Sequence, residues 1–429
     1  MTSPLRVQFK GHLRALAFML NRLLMSLAAP VVAQFAALRR RGLAVAFSVV
    51  ALAAALSGCG TFGGGNSSGA SWFSGWFGGG GKKPVVLAEM KNDTVTIAWT
   101  AYTGKSGGYL FAPAFADKLV YVAGHDGTLT ALADEGGRIV TRIDAKAKLS
   151  GGVGAAENIV VVASNKGEVL AFDPAGRSLW KSSVAGEVLA PPSVMAANVI
   201  VRTADGRIFA LNRADGKRKW VFQRSPPSLT LRTNAGVLIS GNTIYAGYPG
   251  GKVVAIEAES GKPTWEATVS LPRGATELER VADVSGIPVL DDSRICASVY
   301  QGRTGCVETL NGNVLWTREI SSADGVAIDA KYLYVADVDG NVHALDKTTG
   351  ASVWKQEKLV NRDPGTPVVL KGKVLVGDAN GLIHALSVEN GELIGRATTD
   401  GSRIVSLLAY GDHAVAQTDK GAVYLLTVK

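Results

Sequence analysis

The sequence predicts an all-β fold, an eight-bladed β-propeller of four-stranded antiparallel blades. Three observations support this prediction: a repeat of about forty residues, a glycine-centred hairpin turn in each repeat, and a tryptophan near the end of most repeats. The chain has 429 residues, of which 51 are glycines, and this composition suits a fold with many tight turns. Closed all-β folds often exceed the usual domain length, so one ring is compatible with the chain.

Eight glycines define the repeat, and they recur at intervals of 38 to 51 residues. They are Gly127, Gly167, Gly206, Gly251, Gly302, Gly340, Gly381 and Gly421. Several follow an aspartate or asparagine, as in Asp339-Gly340, and such pairs favour the positive-φ turns of twisted hairpins. Alternating strands such as 341–346 follow the turns, so each repeat is predicted to contain a hairpin.

A tryptophan stands four residues after a second turn glycine in most repeats. These tryptophans are Trp180, Trp220, Trp265, Trp316 and Trp354. A large flat side chain repeated once per blade buries roughly 150–250 Å² each time, so we expect these rings to fill the wedge between adjacent blades. The first repeat has no such tryptophan, and the seventh has Gly395 in its place.

The last repeat reaches Lys429 before it can form a fourth strand. An orphan strand, residues 95–99, lies before the first repeat and contains its own tryptophan, Trp99. We expect this strand to pair with the last repeat and close the ring, because closure removes two edges that would otherwise invite aggregation. The propeller is therefore predicted over residues 91–429.

The basic charge of the chain is concentrated near its N-terminus. Seven basic and no acidic residues precede Cys59, which leaves 38 basic against 36 acidic residues elsewhere. That balance gives no global electrostatic footprint for a nucleic-acid partner. Three arginines at 39–41 precede the uncharged run 42–58, the order of a secretory signal. Residues 1–58 are predicted to be a signal peptide with an extended n-region, unless translation begins at Met25.

The run Leu56-Ser57-Gly58-Cys59 resembles the lipobox of bacterial lipoproteins. The resemblance implies that Cys59 carries the lipid and that Gly60, which is not an aspartate, directs the protein to the outer membrane. The alternative is a membrane anchor, for which the apolar run is short. Residues 59–90 are predicted to form a flexible tether because 61–83 is rich in glycine and serine, although its aromatic residues would also suit contact with lipid headgroups or a partner.

The repeat itself, as in 344–354, resembles the tryptophan-docking repeat of pyrroloquinoline quinone enzymes. Eight such repeats behind a lipobox are similar to the BamB family of the outer-membrane β-barrel assembly machinery. That resemblance implies a periplasmic, lipid-anchored scaffold without catalysis or cofactor, which binds BamA and helps outer-membrane proteins fold and insert. Unfolded outer-membrane proteins are further candidate partners. The alternatives are a quinoprotein, for which an adjacent cysteine pair is missing, and a ligand-sensing propeller.

Two segments, 228–232 and 275–285, match family loops that dock onto the periplasmic domains of BamA. The residues carried over by position are Leu229, Leu231, Arg232, Arg280 and Asp283. Ser285 stands where the family often has a second aspartate. Leucines beside opposite charges provide apolar anchors with directional contacts, a common pattern in binding hot spots. The alternative is that both leucines begin the core of the next blade.

Cys296 and Cys306 flank the turn at Gly302 almost symmetrically, so they are predicted to lie opposite each other on paired strands. They form either a disulfide, which an oxidising periplasm permits, or two buried thiols. His343 and His384 occupy equivalent positions in neighbouring repeats. The same position elsewhere holds apolar or hydroxyl side chains, so no metal site is predicted.

Overall fold

The computed structural model describes residues 84–90, 94–225 and 227–429. The regular structure of these residues consists of 32 strands, arranged in eight four-stranded antiparallel sheets. This arrangement confirms the predicted eight-bladed propeller. Among the described residues there is no helix long and apolar enough to cross a membrane. The predicted signal peptide, Cys59 and residues 59–83 of the predicted tether lie outside the described residues.

The first four blades each use four consecutive strands. Blade 1 comprises β2 (Ala114–Ala116), β3 (Leu119–Ala123), β4 (Thr128–Ala133) and β5 (Ile139–Asp144). Blade 2 comprises β6 (Gly154–Ala156), β7 (Ile159–Ala163), β8 (Glu168–Phe172) and β9 (Ser178–Ser183). Blade 3 comprises β10 (Ser193–Val194), β11 (Asn198–Arg202), β12 (Ile208–Asn212) and β13 (Arg218–Phe222). Blade 4 comprises β14 (Val237–Ser240), β15 (Thr243–Tyr248), β16 (Lys252–Glu257) and β17 (Pro263–Thr268).

The remaining blades continue the pattern, and the eighth uses the first strand of the chain as its fourth. Blade 5 comprises β18 (Val289–Asp291), β19 (Arg294–Ser298), β20 (Thr304–Glu308) and β21 (Val314–Arg318). Blade 6 comprises β22 (Val326–Ile328), β23 (Tyr332–Ala336), β24 (Val342–Asp346) and β25 (Ser352–Gln356). Blade 7 comprises β26 (Val368–Leu370), β27 (Lys373–Gly377), β28 (Leu382–Ser387) and β29 (Leu393–Thr398). Blade 8 comprises β30 (Ile404–Tyr410), β31 (His413–Thr418), β32 (Ala422–Val428) and β1 (Val95–Tyr102).

The ring is closed by β1, which pairs with β32 along its length. This pairing confirms the predicted closure, and it places Trp99 opposite Leu425. Val95, at the start of β1, is fully buried in a core cluster shared by blades 7 and 8. The hydroxyl of Thr94 also donates to the carbonyl of Ile394 in blade 7, at 2.9 Å. The two ends of the propeller domain are therefore joined through hydrogen bonds and buried apolar contacts.

The predicted role of the tryptophans between blades is confirmed, and the contact has a fixed geometry. Trp316 donates from Nε1 to the carbonyl of Lys347 in the next blade, at 2.9 Å. Its ring covers Gly350, where φ is +68° and an added Cβ would lie 2.4 Å from the ring. The same contact occurs in the pairs Trp99–Gly137, Trp180–Gly216, Trp220–Gly261, Trp265–Gly312 and Trp354–Gly391. Only glycine leaves room for the ring while adopting this backbone conformation.

Two junctions between blades lack the tryptophan, and the structure explains one of them. Gly395 occupies the tryptophan position of blade 7, opposite Ala385. Blade 8 takes its fourth strand from the other end of the domain, so β32 and β1 are not joined by a turn. A tryptophan at position 395 would therefore find no turn glycine to cover. At the junction of blades 1 and 2, Ile143 and Thr141 are instead the nearest side chains to Gly176.

Residues 84–90 lie against blades 6 and 7. The guanidinium of Arg362 donates to the carbonyl of Val85 at 3.0 Å, and that of Arg396 donates to the carbonyl of Ala88 at 3.1 Å. Leu87 packs against the apolar core between the two blades. These contacts hold the last residues of the predicted tether on the propeller.

The two faces of the ring carry different connections. The loops that join one blade to the next lie beside the turns between second and third strands, as the bridges Leu149↔Ser164, Val188↔Thr203 and Pro249↔Asp283 show. We call this side the loop face. Turns between first and second strands, and between third and fourth strands, lie on the opposite side, the turn face. Any surface built from loops between blades therefore faces one way.

Candidate docking site

Two of the eight loops between blades are longer than the others. Loop 3–4 spans residues 223–236 and loop 4–5 spans residues 269–288, which are fourteen and twenty residues. The other six loops have five to eleven residues. The two long loops contain the segments 228–232 and 275–285 that the sequence singled out, and they lie next to each other on the loop face. The ring thus places the two predicted segments together.

Asp283 joins the two long loops. Its Oδ2 accepts a hydrogen bond from the backbone amide of Leu231 at 2.6 Å. The residue is only 3% exposed, and burial raises the pKa of its carboxyl, a rise that hydrogen bonds from the amides of Leu231 and Gly250 oppose. In this position Asp283 fixes the path of loop 3–4 and presents little surface of its own.

Arg232 reaches two other loops on the same face. Its Nε and Nη2 donate to the two carboxylate oxygens of Glu187, in loop 2–3 (184–192), at 3.0 and 2.7 Å. This hydrogen bond raises the pKa of Arg232 above its ordinary value. The guanidinium also lies 5.5 Å from the ring centre of Tyr109, in loop 8–1 (103–113), a cation–π distance. Its side chain still remains 57% exposed.

Loop 4–5 forms a compact turn that positions Arg280. The carboxylate of Glu279 accepts from the amides of Ala275 and Thr276, and the Thr276 hydroxyl accepts from the amide of Glu279. This reciprocal pattern is that of a capping box. Arg280 donates to the carbonyls of Gly274 and Ala275 while half of its side chain stays exposed. Arg280 therefore lies on the surface of the ring, and its role in docking stays a prediction.

Leu229 and Leu231 lie in an irregular part of loop 3–4 and are half-buried. The next strand, β14, begins only at Val237, so neither leucine belongs to the strands of blade 4. Both leave part of their apolar surface on the loop face.

The other predicted positions differ in exposure. Ser285 is buried and its hydroxyl donates to the carbonyl of Ser322. The predicted set therefore divides into four residues with exposed surface, Leu229, Leu231, Arg232 and Arg280, and one buried residue, Asp283. We call the exposed four the docking surface.

The cysteines and histidines take structural positions in the blades. Cys296 and Cys306 lie opposite each other on β19 and β20, and the structure joins them as a disulfide in the core. His343 and His384 each contact a carboxylate of the preceding turn, Asp337 at 2.8 Å and Asp378 at 3.0 Å. Burial lowers the pKa of His384 despite its carboxylate partner. Across the described residues there is no group of three or more His, Cys, Asp or Glu side chains suited to a metal ion.

Sequence reasoning missed Glu187 and Tyr109. Glu187 precedes Arg232 by 45 residues and Tyr109 precedes it by 123, and neither belongs to a repeated motif. Their contacts with Arg232 arise because a closed ring brings loops from distant repeats to one face. A single sequence contains no local signal for such a contact.

The fold and the contacts between its blades define the class: this is an eight-bladed propeller of the tryptophan-docking type. A family model described as outer membrane protein assembly factor BamB matches residues 125–356 and 338–429. Relatives of that name from Nitrosomonas eutropha and Burkholderia pseudomallei are 41% and 39% identical, each over 80% of this chain and 85% and 90% of their own lengths. The chain belongs to the BamB family.

A solved structure of a BamB protein agrees with this assignment. BamB from Moraxella catarrhalis superposes with a TM-score of 0.73 at 26% identity, covering 78% of this chain and 99% of that one. A quinohemoprotein alcohol dehydrogenase from Comamonas testosteroni superposes with a TM-score of 0.63 at 15% identity, covering 78% of this chain and 76% of that one. The second likeness concerns the fold alone, because propellers of this type serve many functions.

Proposed function

We propose that this chain is a non-catalytic scaffold subunit of the outer-membrane β-barrel assembly machinery and that it binds the periplasmic domains of BamA through the docking surface. The relatives are named for outer-membrane protein assembly, which supports the general role. The proposal that BamA binds at the docking surface rests on one observation: two adjacent long loops of one face carry Leu229, Leu231, Arg232 and Arg280. Binding would orient BamA while it inserts its substrates.

The docking surface has the composition expected of a protein interface. Half-buried leucines supply apolar anchors, and two arginines beside them supply directional donors. The loops that carry these side chains are anchored to the rigid ring, so little ordering is needed on binding.

The proposed lipid anchor would place the protein at the outer membrane. Cys59 would carry acyl chains and hold the propeller to the outer membrane on the periplasmic side. Several chains on one residue give durable attachment, because each buried methylene contributes about 0.8 kcal/mol.

Co-purification of BamA with the tagged full-length chain from detergent-solubilised outer membranes tests the docking surface. We expect the double variant Leu231→Glu with Arg232→Glu to retain less than about a tenth of the BamA, since hot-spot losses of 2 kcal/mol or more correspond to such factors. The matched control is Leu310→Glu. Leu310 is 85% exposed in a turn of the opposite face, and its variant should retain BamA fully.

The docking proposal is wrong if the folded double variant retains as much BamA as the wild type. Circular dichroism and the melting temperature of each purified variant establish that it is folded. Equal loss with Leu310→Glu would place the interface elsewhere on the ring.

Fractionation tests the anchor separately. The wild-type chain should require detergent for extraction from outer membranes. A chain that starts at residue 60, exported behind a signal peptide that is cleaved without lipidation, should be released without detergent. Incorporation of labelled palmitate into the wild type but not into Cys59→Ala checks the lipidated residue, and equal labelling of the two would contradict lipidation at Cys59.

A further inference from the structure

Loop 3–4 is the part of the docking surface that most needs to be held in place. Its described residues form no strand, and it carries both leucines and Arg232. An irregular segment of this length loses substantial conformational entropy when it adopts one path. Contacts that fix it in the free protein therefore lower the cost of binding.

Three residues from three different loops fix it. Asp283, in loop 4–5, accepts from the amide of Leu231. Glu187, in loop 2–3, binds Arg232 through both carboxylate oxygens, a paired geometry that constrains the guanidinium in its plane. Tyr109, in loop 8–1, lies under the same guanidinium. We call Asp283, Glu187 and Tyr109 the clasp.

The clasp is itself braced by the ring. Tyr109 stacks on His125, with ring centres 4.9 Å apart and an angle of 24° between the planes. His125 in turn hydrogen-bonds through Nδ1 to the carbonyl of Leu149, at 2.7 Å. The Glu187 side chain is 27% exposed, so its pairing with Arg232 is only partly screened by solvent. Arg232 therefore rests on residues that the blades hold in place.

We infer that Glu187 is a positioning residue of the docking surface: it clasps Arg232 in the free protein and so presents Leu229, Leu231 and the exposed part of Arg232 to the partner in one arrangement. This inference rests on the proposed function for its consequence in binding. The positioning of loop 3–4 by Glu187 is a property of the free chain, and it is tested in the free chain.

The clasp also determines which charged group the partner contacts. Because Glu187 already neutralises part of the charge of Arg232, the partner contacts a paired Arg–Glu group and not an isolated cation. A charge-assisted pair that is formed before binding favours specificity through geometry more than through net charge. The partner must accordingly offer acceptors that fit the exposed edge of Arg232 beside an apolar patch for the leucines.

Hydrogen exchange of the full-length free chain, followed by mass spectrometry over peptides that cover residues 227–235, tests the positioning role. Glu187→Gln removes the charge and one of the two acceptor oxygens that hold Arg232, so it should raise the exchange rate of these peptides by about two- to fivefold. The matched control is Asp412→Asn. It removes the Lys371–Asp412 ion pair between blades on the turn face and should leave these peptides unchanged.

A charge exchange makes the test specific to the pair. Arg232→Glu alone should raise exchange as Glu187→Gln does, and Arg232→Glu combined with Glu187→Arg should restore slow exchange by re-forming an ion pair of reversed polarity. A loop that exchanges at the wild-type rate in Glu187→Gln overturns the inference. Failure of the reversed pair to slow exchange relative to Arg232→Glu also overturns it.

Binding of purified BamA to the same full-length variants then measures the consequence. Glu187→Gln should weaken binding by up to about fivefold and by no more than the factor by which exchange rises, because it acts by reducing the fraction of chains in the binding-competent arrangement. If Glu187→Gln binds BamA with the same affinity as the wild type, the clasp does not serve docking. If the wild-type chain does not bind BamA, the proposed function fails, while the exchange experiment still decides whether the clasp exists.

Discussion

The ring and the two long loops are held together by different kinds of contact. In the ring, one contact is repeated at six of the eight junctions, with a tryptophan of one blade covering a turn glycine of the next. In loops 3–4 and 4–5, each contact occurs once, as in Leu231 with Asp283 or Arg232 with Glu187. Repeated contacts stabilise the fold, whereas contacts that occur once distinguish one face of an otherwise symmetric ring and make recognition possible.

The same comparison explains an irregularity in the ring. Blade 7 has Gly395 where other blades have tryptophan, at the junction where the chain closes on itself. Buried apolar contacts of Val95, at the start of β1, supply packing there instead. The repeat is thus interrupted at the seam, where the turn that receives the tryptophan does not exist.

The largest expected effect comes from the ring. Trp316→Ala should lower the free energy of unfolding by about 3–5 kcal/mol, because a buried ring is replaced by a cavity over Gly350. Guanidinium denaturation measures the change. At temperatures where the variant is still folded, its affinity for BamA should equal that of the wild type. A variant with unchanged stability would contradict the role given to the tryptophans.

A smaller effect is expected at Asp324, in the short loop between blades 5 and 6. Burial, reinforced by the nearby charge of Asp363 and opposed by Arg403, raises the pKa of Asp324 to about 6. The folded state therefore binds a proton more tightly than the unfolded state, so this carboxyl reduces stability as pH rises from about 4 to about 6. Asp324→Asn should remove that dependence.

Denaturation curves measured between pH 4 and pH 7 check this expectation. The stability of Asp324→Asn relative to the wild type should increase over the interval by roughly 1–3 kcal/mol. A difference that does not change with pH would show that Asp324 titrates normally. Binding to BamA should be unaffected, because Asp324 lies in neither long loop.

Asp283 should have a modest effect on stability and a clear effect on docking. Asp283→Ala leaves the amide of Leu231 without its acceptor, at a cost of about 1–3 kcal/mol if the amide remains buried and less if loop 3–4 opens to water. Asp283→Asn keeps an acceptor oxygen and should retain most of the binding. Calorimetric titration with BamA distinguishes the two. Equal affinity of Asp283→Ala and the wild type would contradict the anchoring role.

The smallest effect on stability is expected at Arg280. Its contacts are with its own loop and half of its side chain is exposed, so Arg280→Glu should change the free energy of unfolding by no more than about 0.5 kcal/mol. The same variant should bind BamA at least tenfold more weakly if Arg280 belongs to the docking surface. Normal binding by the variant would remove Arg280 from that surface.

The sequence predicted the ring well because its signals are local and repeated. The spacing of turn glycines, the alternation after them and the position of each tryptophan all lie within about fifteen residues of one another, and the seam through Trp99 followed from counting strands. The arrangement of the loops was harder to predict from the sequence. Asp283 was expected beside Arg280 at the interface, yet its side chain is buried and accepts a hydrogen bond from the amide of Leu231, 52 residues away.

Hydrogen exchange of the full-length chain with and without purified BamA tests the central claim most directly. Peptides that cover residues 227–235 and 274–284 should become protected on binding, while turns of the opposite face, such as the one that contains Leu310, should exchange as in the free chain. Protection confined to the turn face, or to the outer strands of the blades, would contradict the assignment of recognition to the two long loops.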